Sequence, residues 1–196
     1  MRKIVNKIHH VPNMILIGST ARNSGKTTMA VAIIQRYKEK YPVIGVKVTT
    51  IAKKNGGCIR GGDGCGVCSS LSGDFEISEE LNKSGNKDTS MLLASGADKV
   101  YWLKVLHSHT YEGFEALLKK IPKDALIVCE SNSLRKVVKP GLFVMVKNTE
   151  DNQLKKTAKE VIDQADIVFE NYFQDDFDEL INEIDIRMNL SKDVSR

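Results

Sequence analysis

The amino-acid sequence predicts a single three-layer α/β domain, with a mostly parallel sheet between two layers of helices. Short apolar runs such as 14–17 and 125–129 have the length of buried strands, and amphipathic segments separate them along the chain. Strands that alternate with helices pair in parallel through right-handed crossovers. The 196 residues suffice for one such domain. We expect it to span 1–190, with a flexible tail at 191–196.

Six strands are predicted from runs of aliphatic and β-branched residues. Four of them end at or near Gly18, Glu130, Asn148 or Asn171, which are residue types that interrupt an apolar run. In chain order the predicted strands lie at 14–17, 43–48, 99–105, 125–129, 142–146 and 166–169.

Five helices are predicted from apolar faces at helical spacing. Asp88 and Thr149 are the expected N-caps of the second and fourth helices, and Pro122 ends the third. In chain order the predicted helices lie at about 25–38, 88–95, from 110 or 112 to 121, at about 150–164, and over the apolar stripe at 177–188.

The composition is that of an ordinary globular protein, since 41% hydrophobic and 28% charged residues exclude a disordered chain. The net charge of +4 is too small to indicate nucleic-acid binding. No apolar run reaches the ~20 residues that cross a bilayer, and the dense apolar stretch at 15–17 is too short for a signal-peptide core. We therefore expect a cytoplasmic protein with neither nucleic acid nor membrane as a partner.

A phosphate-binding loop is predicted between the first strand and the first helix, where Gly18–Thr28 reads GSTARNSGKTT. Backbone N–H groups of such a P-loop surround phosphate oxygens, its lysine reaches the β- and γ-phosphates, and the next hydroxyl binds Mg²⁺. The usual pattern has glycine where this chain has Thr20, so the loop is longer at its start. The predicted nucleotide contacts are Asn23, Ser24, Gly25, Lys26, Thr27 and Thr28, of which Thr27 is a Mg²⁺ ligand and Lys26 is catalytic.

Two acidic residues are predicted to act with Mg²⁺ and in catalysis. Glu130 follows the buried strand at 125–129, and ligands in parallel sheets lie at the carboxyl ends of strands. Asp74 follows the glycine- and cysteine-rich segment. The alternatives are a surface acid at a strand end for Glu130 and a turn residue for Asp74.

Three further residues are candidates for nucleotide contact. Arg22 in the loop is a candidate arginine finger, with a solvated loop residue as the alternative. Asn148 and Asn171 follow the last two strands, where an amide can pair with a purine edge or close a turn. The motif Asn-Lys-x-Asp is absent, so these residues leave GTP and ATP both open.

The segment at about 50–73 interrupts the alternation of strands and helices with a run dense in glycine and cysteine. A loop of this length in a compact domain is usually functional. Cys58, Cys65 and Cys68 have a spacing that suits three ligands to Zn²⁺ or an iron–sulfur cluster, with redox-active thiols or inert cysteines as alternatives. The fourth ligand would be Cys129, a histidine or the same loop of a second subunit. A small apolar strand residue is the alternative for Cys129.

Four motifs in this order resemble the molybdopterin-guanine dinucleotide biosynthesis protein B family: 23–28, 73–77, 85–89 and 94–97. The resemblance covers about residues 13–150. It implies a small homodimeric P-loop protein that binds GTP ahead of ATP and assists a partner protein in attaching a guanine nucleotide to molybdopterin. It also implies phosphate binding at 25–28 and Mg²⁺-linked roles for Asp74 and Glu130. Thr20, the cysteine insertion and the sequence that follows the strand at 125–129 depart from the family pattern.

Three functions are compatible with these residues. The first is Mg²⁺-dependent binding and slow hydrolysis of a nucleoside triphosphate in molybdenum cofactor assembly, as the resemblance implies. The second is nucleotide-dependent handling of a metal or cluster by the cysteine loop. The third is a small-molecule kinase in which Asp74 or Glu130 orients an acceptor hydroxyl.

Overall fold

The computed structural model describes residues 7–52, 71–151, 153–173 and 177–190. Cys58, Cys65, Cys68 and the predicted tail lie outside these residues. The strands are β1 (His9–Ser19), β2 (Val43–Ile51), β3 (Phe75–Glu79), β4 (Lys99–Leu106), β5 (Leu126–Glu130), β6 (Val138–Asn148) and β7 (Ile167–Asn171). The helices are α1 (Lys26–Tyr37), α2 (Asp88–Ala94), α3 (Thr110–Leu118), α4 (Lys156–Lys159) and α5 (Asp178–Met188), with 3₁₀ turns at His107–His109, Ser133–Lys136 and Ile162–Gln164.

Within the described residues one seven-stranded sheet has the order β3-β4-β2-β5-β1-β6-β7. All neighbouring strands pair in parallel except β3, which is antiparallel to β4. The predicted α/β class with a mostly parallel sheet is therefore confirmed. The order places β1 between β5 and β6, so its carboxyl end is flanked by theirs.

Helices pack on both faces of the sheet. One buried cluster joins the face of β1 that carries Ile15 and Ile17 to the apolar sides of α1, α2 and α5. The other joins Met14 and Leu16 of the same strand to α3. Successive residues of a buried parallel strand point to opposite faces, so both must be apolar. This explains why the strands read as continuous apolar runs.

Two strands were predicted too short at their starts, because prolines interrupt the apolar pattern there. β1 begins at His9 rather than at 14, and β6 begins at Val138 rather than at 142. Pro12 and Pro140 lie in these extensions. The pairing of β1 with β6 shifts register between Val11 and Ile15, and this irregularity accommodates the interruption.

The helix predicted at 150–164 is wrong, since only Lys156–Lys159 is α-helical and Ile162–Gln164 forms a 3₁₀ turn. The residues before α4 form hydrogen bonds to the end of the sheet instead. The Thr149 hydroxyl, the expected N-cap, donates to the Asn171 carbonyl at 2.8 Å. The backbone N–H of Lys155 donates to the Thr20 carbonyl at 2.9 Å. Tertiary contacts have therefore overridden a local helical signal.

Strand β3 was not predicted, and Asp88 is the first residue of α2 rather than its cap. β3 lies at the sheet edge with five residues, most of them partly exposed, so it lacks the apolar run of a buried strand. The N-cap of α2 is Lys87, and its side chain makes no capping hydrogen bond.

The longest helix among the described residues, α1, has 12 residues. Crossing a bilayer takes about 20 residues. No helix in this part of the chain could therefore span a membrane.

A buried carboxylate joins α5 to α1. Asp185 accepts hydrogen bonds from the Tyr37 hydroxyl at 2.7 Å and from the Arg36 guanidinium at 2.9 Å. Burial and the hydrogen bond to Asp185 raise the pKa of Tyr37 well above its usual range, so the phenol stays a donor. Because α1 begins at Lys26, this contact anchors the far end of the helix whose first turn lies at the candidate site described below.

We expect Asp185→Ala to lower the free energy of unfolding by about 1–3 kcal/mol, the usual range for losing hydrogen bonds to a charged group. Urea denaturation followed by circular dichroism measures it. Asn182→Ala, an exposed position on the same helix, is the control and should change little. Equal denaturation midpoints for the two variants would contradict a stabilising role for Asp185.

Candidate functional site

The candidate site lies at the carboxyl ends of β1, β5 and β6, around the loop from Thr20 to Gly25, which we term the β1–α1 loop. Two of its residues adopt the left-handed conformation, Asn23 with φ 51° and Gly25 with φ 81°. A Cβ atom at position 25 would collide with the Asn171 side-chain amide. Glycine is therefore required there both for the backbone conformation and for space.

Two asparagines hold the ends of this loop. The Asn132 amide accepts from the Ser19 backbone N–H at 2.8 Å and donates to the Ser19 carbonyl at 2.9 Å. The Asn171 amide donates to the Ser24 carbonyl at 3.1 Å. A Cβ at Gly18 would lie 3.0 Å from Asn132 Oδ1, so this asparagine passes close to the end of β1. Asn132 was not predicted as a site residue, although its place two residues after Glu130 was a usable signal.

The threonine at position 20, where a P-loop usually has glycine, makes two hydrogen bonds with β6. Its hydroxyl accepts from the Asn148 backbone N–H at 3.1 Å, and its own N–H donates to the Val146 carbonyl. The threonine that departs from the usual glycine thus extends the pairing of β1 with β6 into the loop.

Two lysines from different segments donate to one hydroxyl. The ammonium groups of Lys26 and Lys155 each donate to Ser19 Oγ at 2.9 Å. Ser19 Oγ in turn donates to the Ala21 carbonyl at 2.9 Å. A hydroxyl has one proton and two lone pairs, so these three bonds use its full capacity. Lys155 was not identified from the sequence, because its position depends on the segment that was predicted to be helical.

Glu130 places a buried carboxylate beside α1. The residue is only 5% exposed. Its Oε2 accepts from the Thr27 hydroxyl at 3.4 Å, whereas Oε1 is buried with no hydrogen-bond partner among the described residues. Burial raises the pKa of Glu130, and the charges of Lys47 and Lys26 oppose that rise. An orphaned carboxylate oxygen beside a threonine hydroxyl is a donor set that suits Mg²⁺ or one of its waters.

Glu130 also begins a row of side chains that crosses the sheet on the α1 and α2 face. Glu130 pairs with Lys47 of β2, which pairs with Trp102 of β4. Lys47 forms an ion pair with Asp88, at the start of α2. Beside the row is a cleft of about 240 Å³ lined by Lys47, Asn86, Lys87, Asp88, Thr89 and Trp102.

The structure brings Lys26, Thr27 and Glu130 together, but it does not bring Asp74 to them. Asp74 precedes β3, and three strands separate β3 from β1. At ~4.8 Å per strand that is roughly 19 Å. The Asp74 carboxylate lies 3.7 Å from His109 Nε2 instead.

The predicted base contacts have other partners within the protein. The Asn171 amide donates to Ser24 and accepts from the Phe173 N–H at 2.9 Å, so both of its polar atoms are engaged. Asn148 Oδ1 accepts from the Glu150 N–H at 2.8 Å. These bonds favour the turn-closing alternative for both residues. Arg22 is exposed on the β1–α1 loop, and Thr28 is exposed in the first turn of α1.

Cys129 is fully buried on the opposite face of the sheet from Glu130. Burial raises the pKa of its thiol well above the usual range, which disfavours the thiolate that binds metal. This geometry favours the small apolar alternative for Cys129. In the described ranges no three His, Cys, Asp or Glu side chains are grouped to hold a metal ion.

No protein-family model matches the sequence, and a search of curated proteins found no match.

We expect Glu130→Gln to raise the melting temperature of the ligand-free protein near neutral pH by about 2–4 °C, the shift that 1 kcal/mol gives in a domain of this size. The folded-state pKa of Glu130 lies above its unfolded value, so the folded protein binds the proton more tightly. Wild type therefore loses stability relative to the variant as pH rises from about 4 through the folded-state pKa.

Melting curves from pH 4 to 8 measure this difference, which should vanish at the acid end. Glu160→Gln is the control, and it should lower the melting temperature near neutral pH, because a hydrogen bond from Lys136 lowers the pKa of Glu160. A Glu130→Gln variant that melts below wild type at pH 7 would contradict the expected effect of burial.

Proposed function

We propose that this protein is a P-loop nucleotide-binding protein that binds a Mg²⁺–nucleoside triphosphate at the β1–α1 loop and hydrolyses it slowly. The observation that carries the proposal is the convergence of the Lys26 ammonium, the Thr27 hydroxyl and the Glu130 carboxylate, whose Oε1 has no partner among the described residues, at the start of α1. Each is the chemical group that phosphate and Mg²⁺ chemistry requires at that position.

The start of α1 supports anion binding. The helix has 12 residues, its N-cap Gly25 makes no side-chain capping bond, and none of the residues in its first turn is acidic. The first backbone N–H groups of a helix lack intrahelical acceptors, and the helix dipole adds positive potential there. A phosphate is therefore a suitable partner for these groups.

Thr27 and Glu130 are the residues that would hold Mg²⁺ directly or through water. When bound, the ion would offset charge on the terminal phosphates. Glu130, whose pKa burial raises, would accept a proton from the attacking water. Lys26 would stabilise the negative charge that develops as the terminal phosphoryl group is transferred.

The biological role follows from the sequence resemblance alone, as part of the same proposal. From the resemblance we propose that the protein binds GTP in preference to ATP, forms a homodimer and acts as an accessory protein in molybdenum cofactor assembly. Because Asn171 is engaged within the protein, base preference is best measured directly by comparing the affinities of GTP and ATP.

We expect Lys26→Ala to weaken triphosphate binding at least about 100-fold, since it removes a charge-assisted contact to two phosphates. Isothermal titration calorimetry with GTP and ATP in the presence of Mg²⁺ measures the loss. Lys40→Ala, at an exposed position beyond the end of α1, is the charge-matched control. Undiminished affinity of the Lys26 variant would refute the P-loop proposal.

The cleft lined by Lys47, the residue paired with Glu130, favours a second candidate function, phosphoryl transfer to a small anionic alcohol. Lys47 and Lys87 would bind its anionic group, and the half-buried Trp102 ring would cover its apolar part. The acceptor oxygen would bond to the γ-phosphorus as the bond to the β–γ bridging oxygen breaks. Its hydroxyl proton would pass to Glu130, and the nucleoside diphosphate would leave.

Trp102 is the single tryptophan of the chain, so its fluorescence reports on the cleft. Among small phosphorylated or carboxylated alcohols, we expect any compound that accelerates nucleotide consumption also to change Trp102 emission. Lys47→Met should raise the concentration of such a compound that gives half-maximal acceleration by about tenfold or more. Lys99→Met, at the first residue of β4 and outside the cleft lining, is the control. An accelerating compound that leaves the emission unchanged would exclude this cleft as the acceptor site.

A further inference from the structure

We propose that Lys155 is a second cationic ligand of the terminal phosphates and that it distinguishes nucleoside triphosphates from diphosphates. This inference rests on the proposed function, because it assigns a further contact to the same nucleotide.

Lys155 and Lys26 approach Ser19 Oγ from separate parts of the chain. Lys26 is the first residue of α1, whereas Lys155 immediately precedes α4. Both ammonium groups lie 2.9 Å from the same oxygen, so the distance between them cannot exceed the two bonds placed end to end. An anionic oxygen that binds near one ammonium is therefore within reach of the other.

The position of Lys155 is set by the backbone. Its N–H donates to the Thr20 carbonyl at 2.9 Å, at the first residue of the β1–α1 loop. Lys156 and Lys159, which follow it, are exposed, whereas Lys155 is partly buried. Of these three neighbouring lysines, Lys155 is thus the one that the fold directs to the end of β1.

Electrostatics favour an anion at this position. Two like charges held near one neutral hydroxyl repel each other in a partly buried site, where water screens them less. A phosphate oxygen between them would offset that repulsion by accepting a charge-assisted hydrogen bond from each ammonium. Ser19 Oγ, which makes three hydrogen bonds here, acts as the neutral acceptor for both lysines before the phosphate binds.

The place of Lys155 beside Lys26 bears on specificity for the triphosphate. In a P-loop the loop lysine contacts the β- and γ-phosphates, so the neighbouring ammonium of Lys155 is assigned to the γ-phosphate. Loss of that phosphate would return Lys155 to Ser19. The segment before α4 would then differ in its contacts between the triphosphate and diphosphate states.

Calorimetry of Lys155→Met with GTP, GDP and inorganic tripolyphosphate tests the inference. We expect affinity for GTP and for tripolyphosphate to fall about 10- to 100-fold, the loss of one charge-assisted hydrogen bond. Affinity for GDP should change less than about threefold, and Lys155→Arg should restore most of the GTP affinity. Lys156→Met is the matched control and should bind like wild type.

The tripolyphosphate arm separates phosphate contact from contact with base or ribose, because this probe has neither. Unchanged tripolyphosphate affinity in Lys155→Met would overturn the inference while leaving the proposed function intact. An equal loss for GTP and GDP would overturn the assignment to the γ-phosphate. A wild-type protein that binds neither GTP nor tripolyphosphate would overturn both proposals. Melting curves confirm that each variant is folded.

Discussion

The parallel pairing of β1 with β5 on one side and β6 on the other is the constraint on which the candidate site depends. Parallel strands end at the same edge of a sheet, so this pairing brings together residues far apart in sequence. It places Glu130 opposite Ile17 and lets Asn132 and Thr20 join the strand ends to the loop. Side-chain amides of Asn132 and Asn171 and the hydroxyl of Thr20 hold the loop to the ends of the strands.

The same edge of the sheet holds a buried carboxylate and two closely spaced ammonium groups, an arrangement that does not favour stability. Within the described residues Glu130 is buried with no hydrogen-bond partner for Oε1, and the ammonium groups of Lys26 and Lys155 donate to the same serine hydroxyl. Burying a polar atom such as Glu130 Oε1 without a hydrogen-bond partner lowers stability, and buried groups with shifted pKa values cluster at functional sites. The positive groups lie next to the start of α1, and the acid lies beside Thr27. Under the proposed function, these are the groups that would contact a Mg²⁺–polyphosphate.

Much of the fold followed from local patterns, because apolar runs and helical spacing are properties of short segments. The loop from Thr20 to Gly25 was likewise identified from adjacent residues. The failures occurred where distant contacts decide the outcome. The predicted helix at 150–164 gave way to hydrogen bonds with the sheet end, and edge strand β3 had no apolar signal. Asp74 was grouped with Glu130 by sequence order, yet the strand order separates them.

The sequence by itself determined the α/β class, the glycine-lysine-threonine loop and the acid at the end of β5, because each is a pattern of neighbouring residues. The tertiary structure alone decided which side chains share the site. Lys155 and Asn132 reach Ser19 from more than 100 residues away, and Lys47 lies beside Glu130 only through the register of β2 and β5. Strand order and register depend on packing summed over the whole sheet, and no single segment contains that information.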